Sequence, residues 1–262
     1  MMGNTNFRLT LVAAALFAGI ISASAGGSGG NSLQQPAKTL YRPTGDEGRI
    51  TGVVSVEGEV PAPRLISMDA DPDCTSQCKG DVRLDDLLVR DGKLTNAFVY
   101  VEGGALDGFE FETPQTAAVL DRRKCRTVPH VLGVQAGQTI QVLNSDLTTH
   151  NYTFQTTKNE RMNRSIPPSG EGFQIAFAQP EMFVIVKCNQ HPWERGYIAV
   201  MPHPFFAVTD RNGAFSIEGL PPGDYTVIAW HERFKDQSVK VSVWKRDFKD
   251  VNFTFKYPED ER

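Results

Sequence analysis

The sequence predicts an all-β fold made of two β-sandwiches, one inserted in or packed beside the other. Short β-branched runs such as RITGVVSVEG, LTNAFVYVEGG, MFVIVKC and DYTVIAWHE are punctuated by Gly, Pro, Asn and Asp, the pattern of strands bounded by turns. No segment sustains the 3.6-residue apolar period of an amphipathic helix. Apolar residues make up 40% and charged residues 22% of the 262 positions, a globular balance with material for two or three cores.

The opening MMGNTNFRLTLVAAALFAGIISASAGG reads as an export signal over residues 1–25. Arg8 precedes an apolar run over 9–21, and Ala23-Ser24-Ala25 forms a small-residue cleavage site. The rival reading is an uncleaved anchor, but the run is shorter than the about 20 residues a bilayer crossing takes. No cysteine follows the run to carry a lipid. Residues 26–47 read as a flexible Gly/Ser/Pro tether, and no later stretch is apolar enough to span a membrane. The expected location is therefore the periplasm, the outside of the cell or its envelope.

The formal charge is −4. A mildly acidic body without a Lys/Arg cluster interleaved with aromatics argues against nucleic acid and anionic lipid as partners.

In the last quarter, TDRNGAFSIEGLPPGDYTVIAW carries two turns, at 210–213 and 220–223. This pattern resembles the carboxypeptidase regulatory-like domain, a transthyretin-like sandwich. The opening strands that the resemblance implies lie far upstream, at 48–58 and 96–103. We therefore expect the regulatory-like sandwich over 48–114 and 203–256, a second domain inserted over 115–202, and a tail over 257–262. Insertion into a surface loop costs little because closure entropy grows only logarithmically with length. Three consecutive modules are the alternative.

The inserted stretch bears the chemistry. VKCNQHPWERGYIAV places Cys188 three residues before His191, and VQAGQTIQVLNSDLTTHNYTF supplies His150 upstream. A thiolate and two imidazoles in a near-trigonal plane, with a weak axial donor, are what an electron-transfer copper ion takes. The two motifs resemble the cupredoxins, and the short Cys-x-x-His-Pro-aromatic-x-Arg-Gly loop is amicyanin-like. The resemblance implies a mononuclear copper site with His150, Cys188 and His191 as ligands, and Asn144 and Asn151 as supporting residues. It further implies a surface at Pro192 and Trp193 through which the His191 edge meets a redox partner protein.

One position departs from that pattern: Glu194 stands where amicyanin-like loops carry an axial methionine, and Met201 is too far along to replace it. An anionic axial ligand disfavours the reduced ion and lowers the potential. The same four side chains also suit zinc. Alternatively Glu194 turns outward to pair with Arg195. Without a catalytic triad, paired acid and base or phosphate-cradling loop, an electron carrier is favoured over an enzyme. A red-copper-type enzyme or small-molecule sensor with an open copper position, and a metal-stabilised envelope module, are the alternatives.

Three further cysteines, Cys74, Cys78 and Cys125, lie in the connections leading into the insert. In an exported chain a disulfide from Cys125 to Cys74 is expected, with Cys78 as the other candidate partner. A second metal site that also uses His130 is the sharper alternative. His203 and His231, beside aromatics, read as packed histidines.

Overall fold

The computed structural model describes residues 38–258, Lys79 excepted. The export signal, the tether up to residue 37 and the last four residues lie outside the described part.

Strand Gly48–Glu57 alternates buried and exposed side chains along its length, so one of its faces has to be covered. It pairs with Ala214–Leu220, Lys93–Leu94, Phe248–Asp250 and Phe253–Lys256. The covering sheet is Phe206–Val208, Phe98–Gly103, Gly223–His231 and Phe234–Val243. Ile50, Val54, Val99, Val101, Tyr225, Val227 and Phe253 close the core between them. Strands from 48–57 and 98–103 thus share sheets with strands from 206–256.

The intervening chain makes its own pair of sheets. One contains Phe173–Ile175, Ile140–Asn144, Ala118–Arg122 and Thr127–Val128. The other contains Met162–Ile166, His150–Gln155, Glu181–Lys187, Arg195–Met201 and Val131–Gln135. Leu120, Ile140, Val142, Tyr152, Phe154, Val186 and Ile198 fill the space between them.

A third apolar layer joins the two sandwiches. Along Arg195–Met201, Ile198 and Val200 face the second core, while Tyr197, Ala199 and Met201 face Phe98 and Tyr100 of the first sandwich. A strand buried on both faces reads as a continuous apolar run, as Tyr197-Ile-Ala-Val-Met201 does. Gly133 permits the close approach, because a Cβ there would stand 2.4 Å from the Phe206 ring. Met201 belongs to this junction.

Two boundaries shift. Within the expected tether, Thr39–Leu40 pairs with Phe109–Glu110, and Tyr41 packs edge-on against Phe109 at 5.1 Å. Residues 38–47 are therefore tied to the body by a strand pair and an aromatic edge contact. At the other end, Tyr257 is buried in the first core and donates its N–H to the Glu57 carbonyl, so it belongs to the sandwich and not to a tail.

Between Gly48–Glu57 and Val89–Arg90 the chain makes an excursion, and its only described helix, Pro72–Gln77, is six residues long. Asp71 caps it by accepting the N–H groups of Asp73 and Cys74, with Pro72 entering the first turn. A disulfide from Cys74 to Cys125 fastens this helix over the loops of the second sandwich. Constraining a loop of 51 residues contributes about 2–4 kcal/mol.

Candidate metal centre

His150 opens the strand His150–Gln155, and Cys188 follows the end of Glu181–Lys187. The antiparallel register, Thr153 opposite Lys187, lays one strand's start beside the other's end. A tight turn then folds the second ligand loop. Glu194 N–H donates to the His191 carbonyl at 2.9 Å, and Cys188 N–H to the Glu194 carbonyl at 3.2 Å. Cys188, His191 and Glu194 are thereby brought to one side of the turn, facing His150.

The four side chains offer ligand atoms within 4.8 Å of one another, and all four are buried. Nδ1 of His191 lies 3.1 Å from Nδ1 of His150 and 3.5 Å from Cys188 Sγ. Asn151 N–H points at Cys188 Sγ at 3.4 Å, a contact that favours thiolate over thiol. Asn144 Nδ2 donates to the carbonyls of Thr148 and Ile166, pinning the loop before His150. The side chain of Asn151 bonds within its own sheet, to Asn163 and Ser165.

Each imidazole turns its other nitrogen to a carboxylate. His191 Nε2 is 2.8 Å from Asp71 Oδ2, and His150 Nε2 is 3.0 Å from Asp146 Oδ2. Such partners fix ring orientation and raise the basicity of the inward nitrogen. Asp71 is held by the helix cap and by Thr148 Oγ1 at 2.8 Å. Asp146 accepts the N–H groups of Lys124 and Cys125. Both of those residues have positive φ, 52° and 53°, a conformation that costs about 1–2 kcal/mol per non-glycine residue and here turns two donors toward one carboxylate.

Glu194 points inward, so the pairing with Arg195 does not occur. Its Oε2 lies 3.0 Å from His150 Nδ1 and 3.4 Å from Arg122 Nε. Neither contact has hydrogen-bond geometry: both Glu194 oxygens and Arg122 Nε are buried without a hydrogen-bond partner. A buried carboxylate with idle oxygens is costly, and its oxygens share a cluster with a thiol and two inward ring nitrogens. That donor set fits copper, and zinc also.

The charges lock together. Burial opposes charging the imidazoles, but Asp146, Cys188 and Glu194 outweigh it and lift His150 to about 11. Cys188, Glu194 and Asp71 likewise lift His191 to about 10. Burial would push Cys188 and Glu194 up, yet both imidazoles pull the thiol and the carboxyl well below their ordinary ranges, with Arg122 adding to the effect on Glu194. In the metal-free cluster the acids thus favour charging of the imidazoles and the imidazoles favour charging of the acids, while the 3.1 Å approach of the two Nδ1 atoms leaves room for one N–H between them.

The His191 edge that the resemblance places at a surface is covered. His191 is 3% exposed, its outer edge covered by Asp71 and by Cys74 Sγ at 3.9 Å. The excursion carrying the helix lies over it because the disulfide ties that helix to the neighbouring loop. Pro192 remains exposed and Trp193 half-buried, the indole N–H donating to the Cys125 carbonyl at 3.1 Å. Both line a cleft of about 360 Å³ together with His130, Arg195 and Glu232. His130 bonds to Glu232 there, so it does not converge with Cys74, Cys78 and Cys125.

Residues 199–256 match the carboxypeptidase regulatory-like domain. No curated protein matches the chain. Among solved structures it is similar to amicyanin from Paracoccus versutus, with 21% identity over 34% of this chain and 85% of that one, at a TM-score of 0.29. A purple cupredoxin from Nitrosopumilus maritimus shares 20% identity over 32% of this chain and 98% of that one, TM-score 0.28. A copper-containing nitrite reductase from Thermus scotoductus shares 16% over 57% and 28%, TM-score 0.31. Among the described residues no helix is long and apolar enough to cross a membrane.

Sequence reasoning missed Arg122, Asp71 and Asp146. Arg122 is one of three consecutive basic residues in DRRKC, and only burial separates it from its neighbours. Asp71 does carry a readable signal, an Asp-Pro helix start, but its contact with His191 lies 120 positions away.

Proposed function

We propose that the inserted stretch 115–202 is a cupredoxin-like domain and that His150, Cys188, His191 and Glu194 hold one copper ion, through which an exported protein carries single electrons. The observation that carries this reading is the convergence of four buried donors, among them a carboxylate with idle oxygens. Copper bound by a thiolate and two imidazoles supplies a one-electron couple.

The protein's own groups set the terms of that couple. Asp71 and Asp146 keep the two imidazoles oriented, and the N–H of Asn151 holds the sulfur in its thiolate form. Glu194 adds a second negative charge that disfavours the reduced state, an effect that Arg122 partly offsets. The surrounding sandwich core resists movement between oxidation states, because packed interiors deform little. The regulatory-like domain supplies the excursion that covers His191, leaving Pro192 and Trp193 as the nearest surface for a redox partner protein.

The second reading is an enzyme or sensor whose copper takes an exogenous small ligand. Titrating Cu²⁺ into the metal-free full chain, with visible spectra and voltammetry, tests both. An intense thiolate charge-transfer band with reversible one-electron cycling supports the carrier. A band shifted by azide or nitrite supports the second reading. A colourless protein that takes zinc alone would defeat both.

A further inference from the structure

The cleft beside Trp193, about 360 Å³ in volume, has the size of a small-molecule site. Three parts of the chain build it: the excursion, the second sandwich and the turn that follows Gly223–His231. Its walls are tied to one another. Glu232 accepts the Tyr197 hydroxyl at 3.0 Å and bonds to His130 Nε2. Arg233 pairs with Asp86 at 2.9 Å and Arg126 with Asp85 at 2.5 Å, which fastens the excursion to both sandwiches. Part of the lining is aromatic, made of Tyr197 and of the Trp193 indole, which is fixed by its bond to the Cys125 carbonyl. Four arginines line the cleft against three acids. Asp85, Asp86 and Glu232 are each engaged by a basic neighbour, and Arg64 shares Asp86 at 3.9 Å. Arg195 is exposed and has no carboxylate within ion-pair distance among the described residues.

We propose that this cleft binds a small aromatic carboxylate, its ring against Trp193 and its carboxylate on Arg195. A guanidinium presents paired N–H donors in the fork that a carboxylate accepts, and a monoanion supplies the negative charge that three acids leave owing to four arginines. The ring of the ligand covers indole surface that water otherwise wets. Because Glu232 is already held by His130 and Tyr197, and the excursion by two ion pairs, little has to be ordered when the ligand arrives. The Trp193 ring also stands 5.2 Å, centroid to centroid, from the His191 ring. An occupant of the cleft therefore covers the face offered to a redox partner protein. Binding itself needs no metal, so this site goes beyond the electron-carrier reading.

The test uses the metal-free full chain, with benzoate as the probe. Calorimetric titration should show one saturable site per chain, with Kd on the order of 1 mM or tighter. Arg195→Gln, at an exposed position, should fold as wild type does and bind at least about tenfold more weakly. Benzamide keeps the ring and loses the charge, and acetate keeps the charge and loses the ring; each should also bind at least about tenfold more weakly. In proton–nitrogen correlation spectra, the indole signal that is missing from Trp193→Phe should move with benzoate. The signal of Trp244, which lines a different cleft, should stay still. Benzoate that fails to saturate by about 50 mM overturns the proposal. So does equal affinity in Arg195→Gln, acetate or benzamide binding as tightly as benzoate, or a shift confined to Trp244. A chain that binds benzoate but gives no copper colour would defeat the electron carrier and leave this site standing, and a coloured chain blind to benzoate would do the reverse.

Discussion

Asp71 Oδ2 lies 2.8 Å from His191 Nε2, so a carboxylate from the excursion of one sandwich orients an imidazole of the other. The contact closes the ring edge that would otherwise face solvent. It also makes the candidate centre dependent on the helix at Pro72–Gln77 and on the disulfide that ties it down.

Replacing Asp71 by Asn should therefore act on the metal and not only on the helix. Loss of a carboxylate behind a ligating imidazole costs about 10–100-fold in metal affinity. A competition titration of copper into Asp71→Asn reads that loss. An Asp71→Ser variant keeps a good helix cap but removes the partner of His191. It should show the same weakening, whereas a purely structural role for Asp71 would leave its affinity near wild type.

Glu194→Met should raise the reduction potential by on the order of 100 mV, about 2 kcal/mol for one electron, and move the absorption towards the blue-copper pattern. In the metal-free protein it leaves Arg122 buried without its carboxylate, which costs about 3–5 kcal/mol. The double variant Arg122→Met/Glu194→Met should recover much of that loss in urea unfolding, because the uncompensated charge is gone. An unchanged spectrum and potential in Glu194→Met would show that the carboxylate does not touch the ion.

Cys188→Ser and His150→Ala should each abolish thiolate charge transfer while leaving the first sandwich folded. Neither residue is part of either sandwich core. The check is a cooperative thermal transition with native far-ultraviolet circular dichroism in the metal-free variants.

The stability of the metal-free chain should peak near pH 6.5. His150 and His191 are raised to about 11 and 10. The stability they contribute is complete below the unfolded value of about 6.5 and is lost as pH climbs toward the folded values, a loss that Cys188, lowered to about 6, partly offsets up to its unfolded value. His203 and His231 run the other way, since burial lowers them to about 4 and 3. Below pH 6.5 the unfolded chain takes up protons there that the folded chain refuses, so stability falls with acid. Denaturant midpoints from pH 4 to 10 should trace this dome, and bound copper should flatten its alkaline limb by displacing proton from the inward imidazole nitrogens. An alkaline limb as steep with copper as without it would contradict the assignment of those histidines.

The strands were legible because alternation and turn residues are local properties. DYTVIAWHE, MFVIVKC and RITGVVSVEG all lie in strands where the pattern placed them. The donors were legible in part for the same reason, since Cys188, His191 and Glu194 share a single turn. The orientation of Glu194 was not, because inward and outward positions differ only in whether Arg122 or Arg195 meets it.

By itself, then, the sequence determined an all-β chain with a cysteine, two histidines and a glutamate spaced to meet, since strand periodicity and loop spacing are written in neighbouring residues. Tertiary structure alone decided that the His191 edge is covered, that Arg122 and Glu194 face each other in the interior, and that the helix beyond Asp71 roofs the cluster. Those outcomes depend on contacts between segments some seventy to a hundred and twenty positions apart, where burial, and not local pattern, selects the partner.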